Sequence, residues 1–210
     1  MLLIKVNETN IDLVLQHTID VLKNGGIIAY PTETFYGLGA KFDLKDSLKK
    51  LYDIKQRAED KAMPLIIGDK GLLPVVAASV NSIAVLLMNR FWPGPLTLIF
   101  PARENLSGYI TAGTHKVAVR IPGESFALHL AKIADFPITA TSANPSGVTP
   151  AQDAETVISC LGDKIDLIID GGLAAGGLPS TIVDVTGDKI KILREGEIKK
   201  ELLKNLNVIS

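Results

Sequence analysis

Polar side chains gather in this sequence where short apolar runs end. The segment from Pro31 to Gly39 follows the apolar run Ile27 to Tyr30 and carries two threonine hydroxyls, a carboxylate and two glycines. The segment from Thr139 to Gly147 places hydroxyl and amide groups after a run that starts at Pro137. Ligand groups in α/β proteins usually lie at strand ends, so both segments are candidate binding loops. Both are also typical of ordinary turns, which favour the same residues without any ligand.

Three cations, Lys55, Arg57 and Lys61, lie at the end of a predicted helix and in the charged loop after it. A solvated face is the ordinary interpretation, since cations complement a helix C-terminus and a surface ion pair contributes only about 0–1 kcal/mol. A triphosphate, however, needs several converging cations and gains bidentate geometry from arginine. The cluster is therefore a candidate phosphate site.

Arg120 lies within the otherwise apolar run Val117 to Ile121. Because a buried guanidinium is costly unless it is paired, we expect a carboxylate opposite it, from a ligand or from the protein. Ser180 starts another apolar run and Arg194 ends a last one, which adds a hydroxyl and a cation. Several cations, many hydroxyls and few nucleophiles suit charge stabilisation rather than covalent catalysis, as in phosphoryl transfer helped by Mg²⁺.

Several familiar signatures are absent from the sequence. It contains no GxxxxGK[ST] phosphate loop, no GxGxxG after the first strand and no HExxH pair. His17, His115 and His129 are far apart, so we expect no metal site on them. The single cysteine, Cys160, excludes an intrachain disulfide, is typical of a reducing compartment and is expected to be buried.

Length and composition bound the fold. The 210 residues, 47% of them hydrophobic, fit one domain over residues 1–210 that buries its own core. The formal net charge of -1 gives no reason to expect a nucleic-acid or membrane partner. No apolar run approaches the length of a membrane span, and the N-terminus lacks the pattern of a secretion signal. We therefore expect a cytoplasmic protein.

Apolar periodicity predicts the elements that must position these residues. The predicted helices are Asn10–Lys23, Asp43–Gln56, Val75–Arg90, Ser125–Ala134, Ala151–Leu161 and Glu197–Leu206. The predicted strands are Ile27–Tyr30, Leu65–Ile67, Leu96–Phe100, Val117–Ile121, Ile138–Ala140, Leu167–Ile169, Thr181–Val185 and Lys189–Leu193, the last two joined as a hairpin. Because some strands are joined by helices and others by short turns, we expect an α/β fold with one mixed sheet flanked by helices.

The motifs resemble, in order and spacing, those of the YrdC-type L-threonylcarbamoyladenylate synthases. From about Gly25 to Gly196 the shared segments are YPTETFYGLG, KQR, WPGPLT, VAVRIP, TSANPSG, IIDGG, PSTIVDVT and LREG. The resemblance implies a twisted open α/β sheet and a nucleotidyltransferase that makes threonylcarbamoyl-AMP and pyrophosphate from L-threonine, bicarbonate and ATP, with Mg²⁺ accompanying ATP. The product would feed N6-threonylcarbamoylation of adenosine 37 in tRNA through downstream transfer proteins. The family's basic concave face would also allow contact with tRNA or other RNA.

The resemblance also implies roles for particular residues. The family's KxR element falls on Lys55 and Arg57, which would be the catalytic pair, and its SxN element falls on Ser142 and Asn144. The implied ATP-binding residues are Arg57, Lys61, Ser142, Asn144 and Arg194. The implied threonine-binding residues are Thr32, Thr34, Arg120, Ala140 and Ser180. Arg120 would pair with the threonine carboxylate, and a threonine-derived carbamate would attack the α-phosphorus of ATP.

The sequence departs from the family pattern in three places. Ala58 stands where KxR is commonly followed by proline, and Ala62-Met63 lengthens the loop before Pro64. Gly68 occupies a position where many relatives carry a histidine near the threonine pocket. The chain ends about one helix after Arg194, so we expect the short form of the enzyme, without the additional C-terminal domain of longer relatives.

Two alternatives stay open. A non-catalytic RNA-binding module would also place Lys55, Arg57 and Lys61 on phosphates, although the region shows little interleaving of aromatic and basic residues for base stacking. A carbamoyl-transfer domain of the hydrogenase-maturation type would form a related carbamoyl-adenylate, although a free-standing chain without zinc-finger cysteines argues against it. Salt-sensitive RNA binding without ATP turnover would favour the first, and dependence on carbamoyl phosphate the second.

Overall fold

The computed structural model of this chain describes residues 1–58 and 60–204. Amphipathic spacing of apolar residues produces its helices. The first, α1, covers Ile11–Lys23 and buries one face, made of Val14, Leu15, Thr18, Ile19 and Leu22, as the three- and four-residue spacing predicts. The others in these ranges are α2 Lys45–Lys55, α3 Leu73–Val76, α4 Ser82–Phe91, α5 Gly108–Thr111, α6 Phe126–Ile133, α7 Ala154–Leu161 and α8 Lys200–Lys204. Short 3-10 turns cover Lys70–Leu72 and Gly162–Lys164.

The strands form two mixed sheets. They are β1 Leu2–Lys5, β2 Ile28–Pro31, β3 Tyr36–Gly39, β4 Leu65–Ile66, β5 Leu96–Pro101, β6 Lys116–Arg120, β7 Ile138–Thr139, β8 Thr141–Ser142, β9 Leu167–Asp170, β10 Thr181–Asp184 and β11 Lys191–Arg194. One sheet has the order β1-β9-β2-β3-β8 and the other β11-β10-β5-β6-β4-β7. The expected α/β fold with mixed β structure flanked by helices is confirmed, with two hydrogen-bonded sheets where we expected one.

One short stretch of chain, β7 and β8, pairs with both sheets. Within it, β7 pairs with β4 of the six-stranded sheet, and β8 pairs with β3 of the five-stranded sheet. Thr139 secures the junction, because its backbone N–H donates to Ala40 O at 2.9 Å and its hydroxyl accepts from Ala40 N–H at 2.8 Å. Ala140 therefore lies where the two sheets meet.

One face of the six-stranded sheet carries the polar residues of the candidate site. The antiparallel register of β5 and β6 pairs Leu98 with Val119, which puts the next residues along, Thr97 and Arg120, side by side. Ile182 of β10 lies opposite both Thr97 and Arg194. Because side chains at matching register positions point to the same face, the two arginines share a face with Thr97 between them.

The predicted strand Ile27–Tyr30 forms as β2, but its hairpin partner β3 is absent from the predicted strands. Two glycines in a four-residue strand weaken the sequence signal. Both are needed because the Tyr30 ring lies across β3: a Cβ atom would lie 3.2 Å from Tyr30 Cζ at Gly37 and 2.8 Å from Tyr30 Cε1 at Gly39. The candidate loop after Tyr30 is therefore the tip of a hairpin, residues 32–35, rather than the exit of a single strand.

The predicted helix Val75–Arg90 is wrong as one element, since α3 and α4 are separate. After α3 the chain pairs with the end of β5, where the Ala78 N–H donates to Pro101 O at 2.9 Å. Asn81 then starts α4 as an N-cap, with its side-chain oxygen accepting from Ala84 N–H at 2.8 Å. The apolar spacing continues through the break and hides it in the sequence.

Three smaller features differ from expectation or add to it. Cys160 is half-buried rather than buried, and it packs against the apolar core. The predicted helix Glu197–Leu206 appears as α8, which begins at Lys200, and its predicted end lies outside the described residues. Within residues 1–58 and 60–204, no helix is long and apolar enough to cross a bilayer.

Candidate active site

A cavity of about 710 Å³ lies over the sheet face that carries Arg120 and Arg194. Its volume falls in the range of about 300–1,000 Å³ that is typical of small-molecule sites. The cavity brings together these predicted residues: Thr32, Thr34, Arg57, Arg120, Ala140, Ser142, Ser180 and Arg194. Three predicted residues, Lys55, Lys61 and Asn144, do not contribute to its lining.

The tip of the β2–β3 hairpin presents two hydroxyls to this cavity. Thr32 Oγ1 donates to Phe35 O at 2.7 Å and accepts the Thr34 N–H at 3.2 Å, which fixes the tip as a compact turn. The Gly176 N–H donates to Thr34 O at 2.7 Å and ties the tip to the loop after β9. Both threonine side chains are thus placed on a rigid element.

Arg120 has the carboxylate that its burial requires, and the protein supplies it. Its Nη1 forms an ion pair with Oε1 of Glu33, from the hairpin tip. Both side chains are mostly buried, with 11% of the arginine and 17% of the glutamate exposed. The sequence shows Glu33 as one carboxylate among hydroxyls, but nothing in its spacing reveals this partner.

Lys55 is buried, and its ammonium group is saturated with protein acceptors. Its Nζ donates to Ser142 O at 2.5 Å, to Asn144 O at 2.7 Å and to Asn144 Oδ1 at 3.3 Å. An ammonium has three N–H groups, so all of them are used within the protein. In this structure Lys55 positions the segment that carries Ser142 instead of facing the cavity.

Arg57 lines the cavity, and its guanidinium is hydrogen-bonded to backbone carbonyls of the loop that follows it. Its Nε donates to Lys61 O at 2.9 Å, and its Nη2 donates to Ala62 O at 2.6 Å. Gln56, with φ of 48°, turns the chain out of α2 and directs Arg57 towards this loop. Lys61 therefore supports Arg57 through its backbone carbonyl.

Arg194 and Ser180 meet at the opposite end of the same sheet face. The guanidinium of Arg194 donates to Ser180 O at 2.8 Å and to Ser180 Oγ at 3.1 Å. Ser180 Oγ lies 2.9 Å from Thr97 Oγ1, which places a third hydroxyl on the cavity floor. Burial, and then the nearby charge of Arg120, lower the pKa of Arg194. Thr97 is a residue that the sequence analysis missed, because one threonine in a strand carries no signal.

The motif order and this geometry agree with a comparison to protein families. A family model named Sua5_yciO_yrdC and described as Telomere recombination matches residues 20–196. The chain belongs to this family. The match spans nearly the same residues as the motifs quoted above, so the resemblance to YrdC-type proteins is confirmed.

Curated members of the Sua5/YciO/YrdC family resemble this chain over most of its length. The threonylcarbamoyl-AMP synthases of Pyrococcus abyssi and Bacillus subtilis are 38% and 40% identical over 180 and 182 residues, covering 86% of this chain and 53% of each relative. The threonylcarbamoyl-AMP synthase of Vibrio parahaemolyticus is 34% identical over 183 residues, or 86% of this chain and 98% of that relative. The chain thus spans about half the length of the first two relatives.

Solved structures of family members share the fold. Pyrococcus abyssi Sua5 complexed with L-threonine matches with a TM-score of 0.93 at 35% identity, over 98% of this chain and 61% of that one. Escherichia coli YciO matches with a TM-score of 0.82 at 26% identity, over 94% of this chain and 96% of that one.

The buried Lys55 of the family's KxR element should make stability depend on pH. Burial, and then the charge of Arg57, lower the pKa of Lys55 from 10.5 to about 8. Between these values the unfolded chain holds this proton and the folded protein has released it, so the free energy of unfolding rises with pH. From about pH 7.5 to about pH 9.5, the wild type should gain on the order of 1 kcal/mol relative to Lys55→Met. Denaturant titrations of both proteins at both pH values measure their free energies of unfolding. A wild type that loses stability relative to Lys55→Met between the two pH values would contradict the assignment.

Proposed function

We propose that this chain is an L-threonylcarbamoyladenylate synthase, a nucleotidyltransferase that makes threonylcarbamoyl-AMP and pyrophosphate from L-threonine, bicarbonate and ATP. The observation that carries the proposal is one cavity that holds Arg120 with the hydroxyls of Thr32, Thr34 and Ser180, and also holds Arg57 with Ser142. Relatives that bear this enzyme name, and a family structure with bound L-threonine, support it.

The amino-acid end of the proposed site lies on the six-stranded sheet. Arg120 receives the threonine carboxylate, because a guanidinium offers a planar fork of donors that matches a carboxylate. Thr32 and Thr34 from the hairpin tip, with Ser180 from the start of β10, provide hydroxyls for the polar groups of the same ligand. Ala140, which lies where the two sheets meet, lines the same cavity.

The nucleotide end of the proposed site lies around the ends of α2 and β8. Arg57 contacts the phosphates as a cation whose position is fixed by two backbone carbonyls. Ser142 places a small polar group near the nucleotide, whereas Asn144 is buried and acts with Lys55 to hold the segment that carries Ser142. Within the described part of the chain, no cluster of three acidic, histidine or cysteine side chains is arranged for a metal ion. In the proposed reaction Mg²⁺ accompanies the substrate, bound to the ATP phosphates.

The proposed reaction needs positioning and charge neutralisation. L-Threonine and bicarbonate give a carbamate and water, and an oxygen of that carbamate attacks the α-phosphorus while pyrophosphate leaves. The attacking oxygen is already anionic, so Arg57 and Arg194 serve to neutralise the phosphates between which the bond breaks. Threonylcarbamoyl-AMP is a reactive mixed anhydride, which a tRNA-modifying transfer system in the cytoplasm consumes to modify adenosine 37.

Pyrophosphate release tests the proposal directly. Purified protein with MgATP should release pyrophosphate when L-threonine and bicarbonate are both present, and omission of either should abolish the release. Arg57→Ala should lower the rate by at least roughly tenfold, because it removes a charge-assisted contact worth about 1.5–3 kcal/mol. Arg90→Ala, at an exposed position of α4, is the matched control and should keep the wild-type rate.

Other results would favour the other functions considered for this sequence. Release that needs carbamoyl phosphate instead of bicarbonate and threonine would identify a carbamoyl-transfer domain. Salt-sensitive RNA binding by a folded protein that releases no pyrophosphate would identify an RNA-binding module.

A further inference from the structure

The geometry points to Glu33 as a positioning residue for the amino-acid carboxylate: it holds Arg120 in the orientation that presents the free edge of its guanidinium to the cavity. This inference rests on the proposed function, since it assumes that Arg120 receives the carboxylate of L-threonine. It adds a residue that neither the motifs nor the cavity lining assigns to the site.

Glu33 is placed behind the cavity rather than in it. Its neighbours Thr32 and Thr34 both line the cavity, whereas Glu33 does not. The side chain turns the other way, over Gly123, where a Cβ atom would lie 3.5 Å from Glu33 Cγ. From there one carboxylate oxygen reaches Nη1 of Arg120.

The ion pair leaves most of the guanidinium available. An arginine has five N–H donors, and Glu33 is the one hydrogen-bond partner of the Arg120 side chain that the structure describes. Arg120 itself lines the cavity, and the inference places its remaining donors on the side that a ligand would occupy. Its neighbours along the sheet, Ile66 and Thr97, offer no charge that could fix its rotation. Glu33 therefore sets where the donors point.

The charges give Glu33 a second effect. Arg120 and Arg194 are close enough for one charge to lower the pKa of the other group. With Glu33 the three groups sum to one positive charge, which one ligand carboxylate neutralises. Without Glu33 the same sheet face would carry two guanidinium charges and no carboxylate beside Arg120. Orientation and charge thus depend on the same carboxylate.

The pair also connects two elements of the site. Glu33 belongs to the hairpin tip and Arg120 to β6, so the contact fixes the two threonine hydroxyls relative to the guanidinium. The second oxygen, Oε2, is buried and has no hydrogen-bond partner among the described groups. Burial of a carboxylate costs free energy, and a single ion pair with the second oxygen left unpaired offsets little of that cost. This favours a role for Glu33 in the site over a role in stabilising the fold.

Glu33→Gln tests the inference, because the amide keeps an oxygen that can accept from Arg120 and removes the charge. We expect the KM for L-threonine, measured by pyrophosphate release, to rise about tenfold and the KM for ATP to stay within about twofold. Glu33→Asp, which keeps the charge on a shorter side chain, should give a threonine KM between the two. Glu124→Gln, at a nearby exposed glutamate, is the control and should match the wild type.

A second ligand separates positioning from a general structural role. L-Threoninamide lacks the carboxylate, so its inhibition constant should be the same for Glu33→Gln and wild type, whereas a loosened site would weaken both ligands. An unchanged or lower threonine KM in Glu33→Gln, or an equal rise for threonine, threoninamide and ATP, would overturn the inference. If the wild type neither binds nor turns over L-threonine, the proposed function itself fails. That result differs from the results that support or overturn the role of Glu33.

Discussion

Replacement of Arg120 by alanine should lower threonine-dependent pyrophosphate release by roughly a hundredfold or more, the largest loss expected for any single change in the cavity. Truncating one partner of a desolvated, hydrogen-bonded charge pair costs about 2–5 kcal/mol, and about 2.7 kcal/mol corresponds to a factor of one hundred. The loss should appear in the KM for L-threonine and in kcat/KM for that substrate. The KM for ATP should change much less, since the proposed phosphate contacts, Arg57 after α2 and Ser142 on β8, come from elements other than β6.

The same change has a structural consequence that must be separated from the loss of binding. Without Arg120, Glu33 would be a mostly buried carboxylate with no counter-ion, which typically destabilises a fold by about 3–5 kcal/mol. The double variant Arg120→Ala/Glu33→Gln removes the unpaired charge and should recover much of the thermal stability while threonine binding stays lost. Arg120→Lys keeps a charge but not the fork of donors, and it should give an intermediate KM. A stable Arg120→Ala protein with a wild-type threonine KM would contradict this account.

How much of the site could be predicted depends on how far apart in the sequence the two residues of each contact lie. A cation within an apolar run signals a buried guanidinium that needs a carboxylate, so the environment of Arg120 could be predicted. The identity of that carboxylate could not, because Glu33 lies 87 positions away and is brought to it only by the hairpin and the sheet. Lys55 and Arg57 show the same limit, since two neighbouring cations have the same sequence signal. Only the fold shows that one faces protein carbonyls and the other the cavity.

The fold follows the same rule. Helix α1 and strand β5 have strong local signals and form close to their predicted bounds. The strand β3 contains two glycines, and at both an added Cβ atom would lie against the ring of Tyr30. The arrangement of the β structure as two sheets depends on the short segment around Thr139. Its first part, β7, pairs with one sheet, and its second part, β8, pairs with the other. Such pairings are long-range and leave no periodic pattern in the sequence.

Gly68 shows how a departure from a family pattern can have a local physical cause. The resemblance to the family implies a histidine at this position, close to the threonine pocket. In this chain Gly68 packs directly against the backbone of α6, where a Cβ atom would lie 2.2 Å from Ala131 O and 2.4 Å from Lys132 Cα. No side chain fits there unless α6 moves away from the end of β4. The absence of a side chain at residue 68 therefore allows α6 to pack closely against the six-stranded sheet.

Gly68→Ala should accordingly be one of the most destabilising single-methyl additions in the chain, lowering the free energy of unfolding by about 3 kcal/mol, at the upper end of overpacking costs. Gly108→Ala is the matched control, because Gly108 begins α5 and nothing lies within 4 Å of its added Cβ. That change should alter stability by less than about 1 kcal/mol, in the stabilising direction. Denaturant unfolding of both variants and the wild type measures the contrast. Equal midpoints for Gly68→Ala and Gly108→Ala would mean that α6 moves away from β4 at little cost. A histidine at residue 68 would then be compatible with this fold.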